Sequence, residues 1–395
     1  MAGAGLEDIV AGQTSISTID GRRGVLTYRG ISIHEMAENS SFEETVFLLW
    51  YGRLPKATEL EDFKNQLSRE TVLEPKVADW LRSLPKDANP MSLLRTGVSL
   101  LGLADDEEGA SVTPEPWKEG FRYMGQLVPG APGYGRDHPQ SRKAIRLMGR
   151  LTALVPALQR AVRNQPFIEP SPRASIAFNF LRCLNGKDPD ESSEKIFDTC
   201  LILHADHEFN ASTFTARVAC ATLSDLHSCI VAAIGALKGP LHGGANTEVM
   251  HMLHEVKDPA NAKAWVREAL EKKRKIPGFG HRMYKTEDPR ATHLRRMSES
   301  LCAKEGQPHW YEMSRLIEEA MWELKAIKPN VDFYSASTYY CMGIDPAMYT
   351  PIFALSRLSG WTAHIFEQQS HNRLIRPVGE YVGPQEDHWA PMEER

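Results

Sequence analysis

The chain has 395 residues, 42% hydrophobic and 25% charged, which is the balance of a folded globular protein rather than a disordered or fibrous one. That length allows about two or three domains and a core that needs no covalent staples. A formal net charge of −5 argues against coating nucleic acid or anionic membrane, but leaves room for a local basic pocket.

The six cysteines (Cys183, Cys200, Cys220, Cys229, Cys302, Cys341) are scattered with no C-x-x-C pair, so neither a disulfide framework nor a cysteine zinc site is expected. A reduced, cytoplasmic compartment fits this usage. Residues Met1 to Asp20 lack the charged start and apolar run of an export signal. No stretch reaches the roughly 18 uninterrupted apolar residues of a spanning helix. The nearest, Val218 to Leu237, is broken by Ser224, Asp225, His227 and Ser228.

In chain order, alternation over Thr14 to Ile19, the turn signal Asp20-Gly21 and the β-favouring Val25 to Tyr28 predict a small hairpin. Helical patterns dominate after it. Ser41 with Glu44 forms a capping box, Val46, Phe47, Leu49 and Trp50 supply an apolar face, and Gly52 with Pro55 ends that helix. Further helices are predicted over Ala57 to Arg69, Pro90 to Leu103, Arg142 to Val162, Arg173 to Leu184 and Ser193 to His204. Asp105 to Gln140 is rich in Pro, Gly and charge, with Trp117, Phe121, Tyr123 and Tyr134 interleaved, and reads as a long surface loop, either packed on its own domain or offering a contact surface. One long helix is predicted from Thr213 to Lys238, stopping at Gly239-Pro240, with others near Thr247 to Val256, Ala260 to Lys272, Pro289 to Lys304 and Trp310 to Ala326. No repeat of fixed period is present.

Four segments carry residues suited to chemistry. Gly239 to Asn246 places His242 in a glycine-flanked turn ahead of a helix, where the positive helix end favours a neutral imidazole able to donate a hydrogen bond to a carbonyl gaining charge. The structural alternative is a capping histidine in a helix–turn–helix link. Gly278 to Tyr284 sets His281 in a second glycine turn, after the basic run Lys272 to Lys275; amides and cations together suit a phosphate, whereas a basic run alone is commonly a solvated helix end. Leu203 to Asn210 puts His204 and His207 three residues apart, a spacing open to metal binding or to one core histidine and one lining a pocket. Asp332, among apolar and aromatic neighbours in Pro329 to Ser335, is either a desolvated general base or a helix cap. Arg290, Arg357 and Arg376 lie in otherwise apolar or turn-forming segments, and converging arginines are the means to hold a small dicarboxylate.

Taken together, LHADHEFNASTF, GPLHGGAN, GFGHRMYKTEDPRA, NVDFYSAS and SRLSGWTAHIFEQ, with YRGISI and MSLLRTGVS nearer the N-terminus, resemble the citrate synthase family from Gly5 to about Pro377. The resemblance implies a mainly α-helical two-domain fold with the small N-terminal hairpin, residues 1–220 and 329–395 forming a large domain and 221–328 a small one. It implies condensation of acetyl-CoA with oxaloacetate, with Asp332 as base, His242 as hydrogen-bond donor to the enol and His281 polarising the ketone. His207, Arg290 and Arg357 are expected to bind oxaloacetate with Arg95, and Arg376 to come from a partner subunit, so that a homodimer is the smallest assembly. Arg274 and Lys275 with the turn Ile276, Pro277, Gly278, Phe279 and Gly280 are expected to hold CoA. Acetyl-CoA is a substrate, and no resident cofactor or metal is implied. The 105–140 stretch departs from the compact members, and a contact between subunits is its expected role; the Gly379 to Arg395 tail is expected to reach across a dimer. The nearest alternative is a 2-methylcitrate synthase using propionyl-CoA; a metal-dependent hydrolase and a non-catalytic helical scaffold are the alternatives of another class.

Overall fold

A computed structural model describes residues 5, 9–85, 87–103, 105, 121–123, 126–128, 138–386 and 388–394. Its N-terminal hairpin pairs β1 (Ser17–Asp20) with β2 (Val25–Tyr28), Asp20 opposite Val25, and β3 (Ile31–Ser32) adds a third antiparallel strand. The turn is closed by Asp20, whose Oδ1 accepts from the backbone N–H groups of Arg22 and Arg23 at 3.0 Å each. The tip docks on the chain after His281: Lys285 N–H donates to the Gly21 carbonyl at 2.8 Å, and a Cβ on Gly21 would lie 2.0 Å from the Met283 carbonyl oxygen. Only glycine fits there.

The helices that follow are α1 (Ile33–Asn39), α2 (Phe42–Tyr51), α3 (Ala57–Glu70), α4 (Pro75–Arg82) and α5 (Pro90–Leu103). As expected, the Ser41 side chain caps α2 by accepting from Glu44 N–H, and Gly52 ends it in the left-handed region at φ 73°. Within the 105–140 stretch, β4 (Phe121–Tyr123) and β5 (Gln126–Val128) form a two-stranded antiparallel pair, so the purely looped reading is corrected there. Trp117 and Tyr134, on which the contact-surface reading drew, lie outside the described residues.

Then come α6 (Pro139–Val162), α7 (Ile176–Asn185), α8 (Glu191–His204), α9 (Ala211–Ala221) and α10 (Leu226–Leu237). The single helix expected from Thr213 to Lys238 is in fact two. Leu223 takes φ +67°, and the Asp225 side chain caps α10 through the Ser228 N–H at 2.9 Å, so an aspartate N-cap overrides continuous apolar patterning. The remaining helices are α11 (Ala245–Val256), α12 (Ala262–Glu271), α13 (Pro289–Lys304), α14 (Pro308–Lys325), α15 (Val331–Cys341) and α16 (Tyr349–Ser370). Among the described residues no helix is long and apolar enough to cross a membrane.

Helix α16 is the axis of the molecule, buried at every position from Tyr349 to Gln369 and packed against α2, α6, α8, α9 and α10. Trp50 of α2 anchors to it by donating Nε1–H to the Ser359 carbonyl at 2.9 Å. A second assembly packs α15 against α11, α13 and α14, and α12 against α14. The site lies where these two groups of helices meet.

Candidate active site

The turn between α10 and α11 folds back on the end of α10. Gly243 N–H donates to the Leu237 carbonyl at 3.1 Å, and a Cβ on Gly243 would stand 2.5 Å from that oxygen, so the close approach requires glycine. This presents His242, half-buried, to α9. The Ser212 backbone N–H reaches His242 Nε2 at 3.2 Å. A backbone N–H can only donate, so Nε2 is the acceptor and the ring proton sits on Nδ1. The Ser212 hydroxyl, 2.8 Å from the same nitrogen, is held by the Asn210 cap of α9 and by Trp361 Nε1–H. Burial, then the charge of Arg357, pushes the His242 pKa down to about 4, which keeps the ring neutral.

The second turn is pinned to the segment leading into α15. Asn330 N–H donates to the Gly278 carbonyl at 2.9 Å, Gly280 N–H to the Lys328 carbonyl at 3.2 Å, and Asn330 Nδ2 to the Gly280 carbonyl at 2.9 Å. Gly278 has φ +79°, and a Cβ there would meet Phe333 and Val249 at 2.8 Å. His281 follows at once, with Nδ1 accepting from the backbone N–H groups of Met283 at 3.0 Å and Tyr284 at 3.3 Å. Its proton is therefore on Nε2, the opposite tautomer to His242. Burial and then Arg290 lower its pKa to about 4.

Asp332 stands in the first turn of α15. The cap of that helix is Asn330, whose side chain accepts from Asp332 N–H at 3.0 Å, so the carboxylate is not used as the cap. Burial raises its pKa to about 6 against the opposing charge of Arg290, with Asp288 adding to the rise. It is thus a carboxylate of increased basicity, in the field of Arg290 and Arg357, on a helix whose cap Asn330 is pinned to the His281 turn.

Of the residues expected to bind a dicarboxylate, His207, Arg290 and Arg357 are buried and interact with one another electrostatically. His207 Nε2 lies 3.2 Å from the Tyr284 hydroxyl, and its ring centroid is 5.1 Å from that of His281. Arg357 donates Nε–H to the His204 carbonyl at 2.8 Å and lies over the Phe353 ring; burial pulls its pKa down to about 10, partly restored by Asp206. Arg290 is clasped by Asp288 through Nε and Nη2 at 2.9 and 2.8 Å. His204 and His207 take different partners, since His204 Nδ1 lies 2.7 Å from the Cys200 carbonyl within the core. The pair therefore divides into one core histidine and one lining histidine.

Three expected residues stand apart. Arg95 is exposed on α5, Arg376 is exposed in the extended segment after α16, and Arg274 is engaged bidentately by Glu255 at 2.6 Å and stacked on Trp265. Lys275 is exposed, Ile276 and Gly278 are buried, and Pro277, Phe279 and Gly280 have intermediate or greater access, with the Phe279 ring 4.6 Å from that of Phe333. Asp288, Ser212, Trp361 and Asn330 hold the site together without having been singled out in the sequence. For Asp288 the signal was present, an aspartate N-cap followed by proline at the first helical position.

The family model described as "Citrate synthase, C-terminal domain" matches residues 5–378. The chain belongs to the citrate synthase family. Members of this family are transferases that convert acetyl-CoA and oxaloacetate to citrate, and the chain is an enzyme of that class. Citrate synthase 2 of Bacillus subtilis is 48% identical over 99% of this chain and 98% of its own length. A 2-methylcitrate synthase of Shewanella oneidensis is 40% identical over 97% of the chain and 95% of its own length. A citrate synthase from Thermoplasma acidophilum, solved as a ternary complex with carboxymethyl coenzyme A and oxaloacetate, superposes with a TM-score of 0.86 at 33% identity, covering 99% of this chain and 98% of that one.

Proposed function

We propose that Asp332, His242 and His281 divide the proton chemistry of joining the acetyl-CoA methyl carbon to the ketone carbon of oxaloacetate. A thioester α-hydrogen is far too weak an acid for an unaided carboxylate. Asp332 removes it while His242 Nδ1–H donates to the thioester oxygen, a hydrogen bond that strengthens as charge develops there. The enol attacks the ketone, whose oxygen takes the Nε2 proton of His281 as the alkoxide forms. Water then cleaves citryl-CoA to citrate and CoA. Arg290, Arg357 and His207 hold oxaloacetate in the same subunit, and Arg376 of a partner subunit completes the carboxylate clamp. The turn from Ile276 to Gly280 receives CoA with Lys275; Arg274 serves it by bracing α11 through Glu255. Arg95 is assigned to the same polar site.

The observation that carries this reading is the pair of opposed tautomers, each fixed by backbone N–H donation, together with a buried carboxylate of raised pKa on the helix pinned to the second turn. A cleft that closes over substrate would exclude water until the bond forms. The packing of α15 on α11, α13 and α14 supports a moving unit that ends after Cys341, beyond the Lys328 boundary expected from the resemblance. A dimer in the cytoplasm is the proposed setting.

The test is release of CoA thiol with oxaloacetate present, comparing acetyl-CoA and propionyl-CoA in chelator. A higher kcat/KM with acetyl-CoA is expected. A preference for propionyl-CoA would assign the chain to the 2-methylcitrate synthases, a choice worth about 1–3 kcal/mol in an apolar pocket. Loss of activity in chelator would instead favour a metal-dependent hydrolase.

A further inference from the structure

Asp288 takes no part in the steps above, yet it sits where the two substrate subsites join. Its residue is 1% exposed, and both carboxylate oxygens are fully engaged. Oδ1 accepts from the Arg290 backbone N–H at 3.1 Å and from Arg290 Nε at 2.9 Å; Oδ2 accepts from Arg290 Nη2 at 2.8 Å and from the Val331 backbone N–H at 3.1 Å. The first bond caps α13. The fork to Nε and Nη2 fixes the plane of the guanidinium and leaves Nη1 without a hydrogen-bond partner among the described residues. The last bond holds the first residue of α15, immediately before Asp332. A single buried carboxylate therefore ties an oxaloacetate arginine to the helix end that presents the base, across 43 residues of sequence.

The geometry points to Asp288 as a positioning residue that holds Arg290 and Asp332 in register, so that the oxaloacetate ketone and the acyl-CoA methyl group meet at bonding separation. This rests on the assignment of Arg290 and Asp332 given under the proposed function. Asp288 acts through those two residues rather than on a substrate. A bidentate carboxylate restrains a guanidinium in both distance and plane, which a single neutral acceptor cannot do. The same charge also faces Asp332, in company with Arg290 on α13 and Arg357 on α16, and it opposes the two arginines by holding the Asp332 carboxyl up.

Asp288→Asn keeps the size and one acceptor oxygen, so that the α13 cap can survive while the charge is lost. The expected result is a KM for oxaloacetate raised roughly tenfold, the size of a lost charge-assisted pair, with KM for acetyl-CoA changed by less than about twofold. The acidic limb of kcat/KM for acetyl-CoA, read at saturating oxaloacetate, is expected to move to lower pH, because the negative neighbour of Asp332 is gone. Asp288→Glu keeps the charge but alters the reach; its limb is expected to stay in place while kcat falls. A purely structural Asp288 would lower the melting temperature and leave both the limb and the oxaloacetate KM unmoved, and that outcome overturns the inference. Should the Asn variant fail to fold, a Glu variant with kcat equal to the parent overturns it as well. An unsubstituted protein that releases no thiol would overturn the site assignment together with this inference; an active parent with an unmoved Asn variant overturns the inference alone.

Discussion

Helix α16 and the two glycine turns, at Gly239 to Asn246 and Gly278 to Tyr284, contribute to one site by different physical means. In α16 the charge of Arg357 is taken out of water on a helix buried from Tyr349 to Gln369, stacked on Phe353 and tied to the His204 carbonyl; burial is strong enough to pull its pKa to about 10. The turns do not bury their side chains to that degree. They set one ring nitrogen of each histidine against backbone N–H groups, that of Ser212 at the start of α9 for His242 and those of Met283 and Tyr284 within the turn for His281, which leaves the proton on the other nitrogen. The helix thus fixes a charge for recognition, and the turns fix a proton for chemistry. Rigid packing suits the first task, whereas the second needs close backbone approach that only glycine allows.

Substitutions can break or sharpen that contrast. The largest effect is expected from Asp332→Asn, which removes the base presented beside the turns: kcat should fall by about 10²–10⁴ with the KM for oxaloacetate nearly unchanged, measured by thiol release. In the parent enzyme the same carboxylate sets a pH limb. Asp332 must be unprotonated to act and its pKa is raised to about 6, so kcat/KM for acetyl-CoA is expected to be full above that value and to decline as pH falls through it. Arg357→Lys tests the helix side of the contrast. A point charge cannot reproduce the guanidinium fork, and a rise of about 10- to 100-fold in the KM for oxaloacetate is expected, with the pH limb retained. Gly278→Ala tests the turn side: a Cβ at φ +79° facing Phe333 and Val249 at 2.8 Å should cost about 1–3 kcal/mol in a denaturant melt, and should lower kcat by displacing His281. The smallest effect belongs to Asp225→Ala, which removes the cap of α10 away from the chemistry; about 1 kcal/mol of stability should be lost with kcat unaltered.

The same division explains what was legible in the sequence. Glycines flanking His242 and His281 announce turns in which the backbone must come close, and the structure has both turns and both close approaches. The N-terminal hairpin and the limits of α2 follow from Asp20, Ser41 and Gly52, whose local hydrogen bonds need no tertiary context. Helix α16 was not delimited, because a helix buried on all sides shows no polar face and therefore no period. The break between α9 and α10 is hidden for a related reason: small and apolar residues run through it, and Asp225 interrupts an apolar span in the same way whether or not it starts a helix. For Asp288 the Asp-Pro cap signal is local, but its tie to Val331 spans 43 residues, and a contact of that range leaves no trace in local spacing. The basic run Lys272 to Lys275 does not show that Arg274 pairs with Glu255, 19 residues upstream, which is again a product of tertiary packing.

The central claim is that Asp332 and His242 act on the acyl-CoA methyl group while His281 acts on the ketone. It is tested most directly by exchange of that methyl group with deuterated water, in the presence of a dicarboxylate analogue of oxaloacetate that lacks the ketone. The expected result is exchange in the parent and in His281→Gln, and none above background in Asp332→Asn or His242→Gln. Exchange surviving in Asp332→Asn, or abolished by His281→Gln in a protein that still binds the analogue, would contradict it.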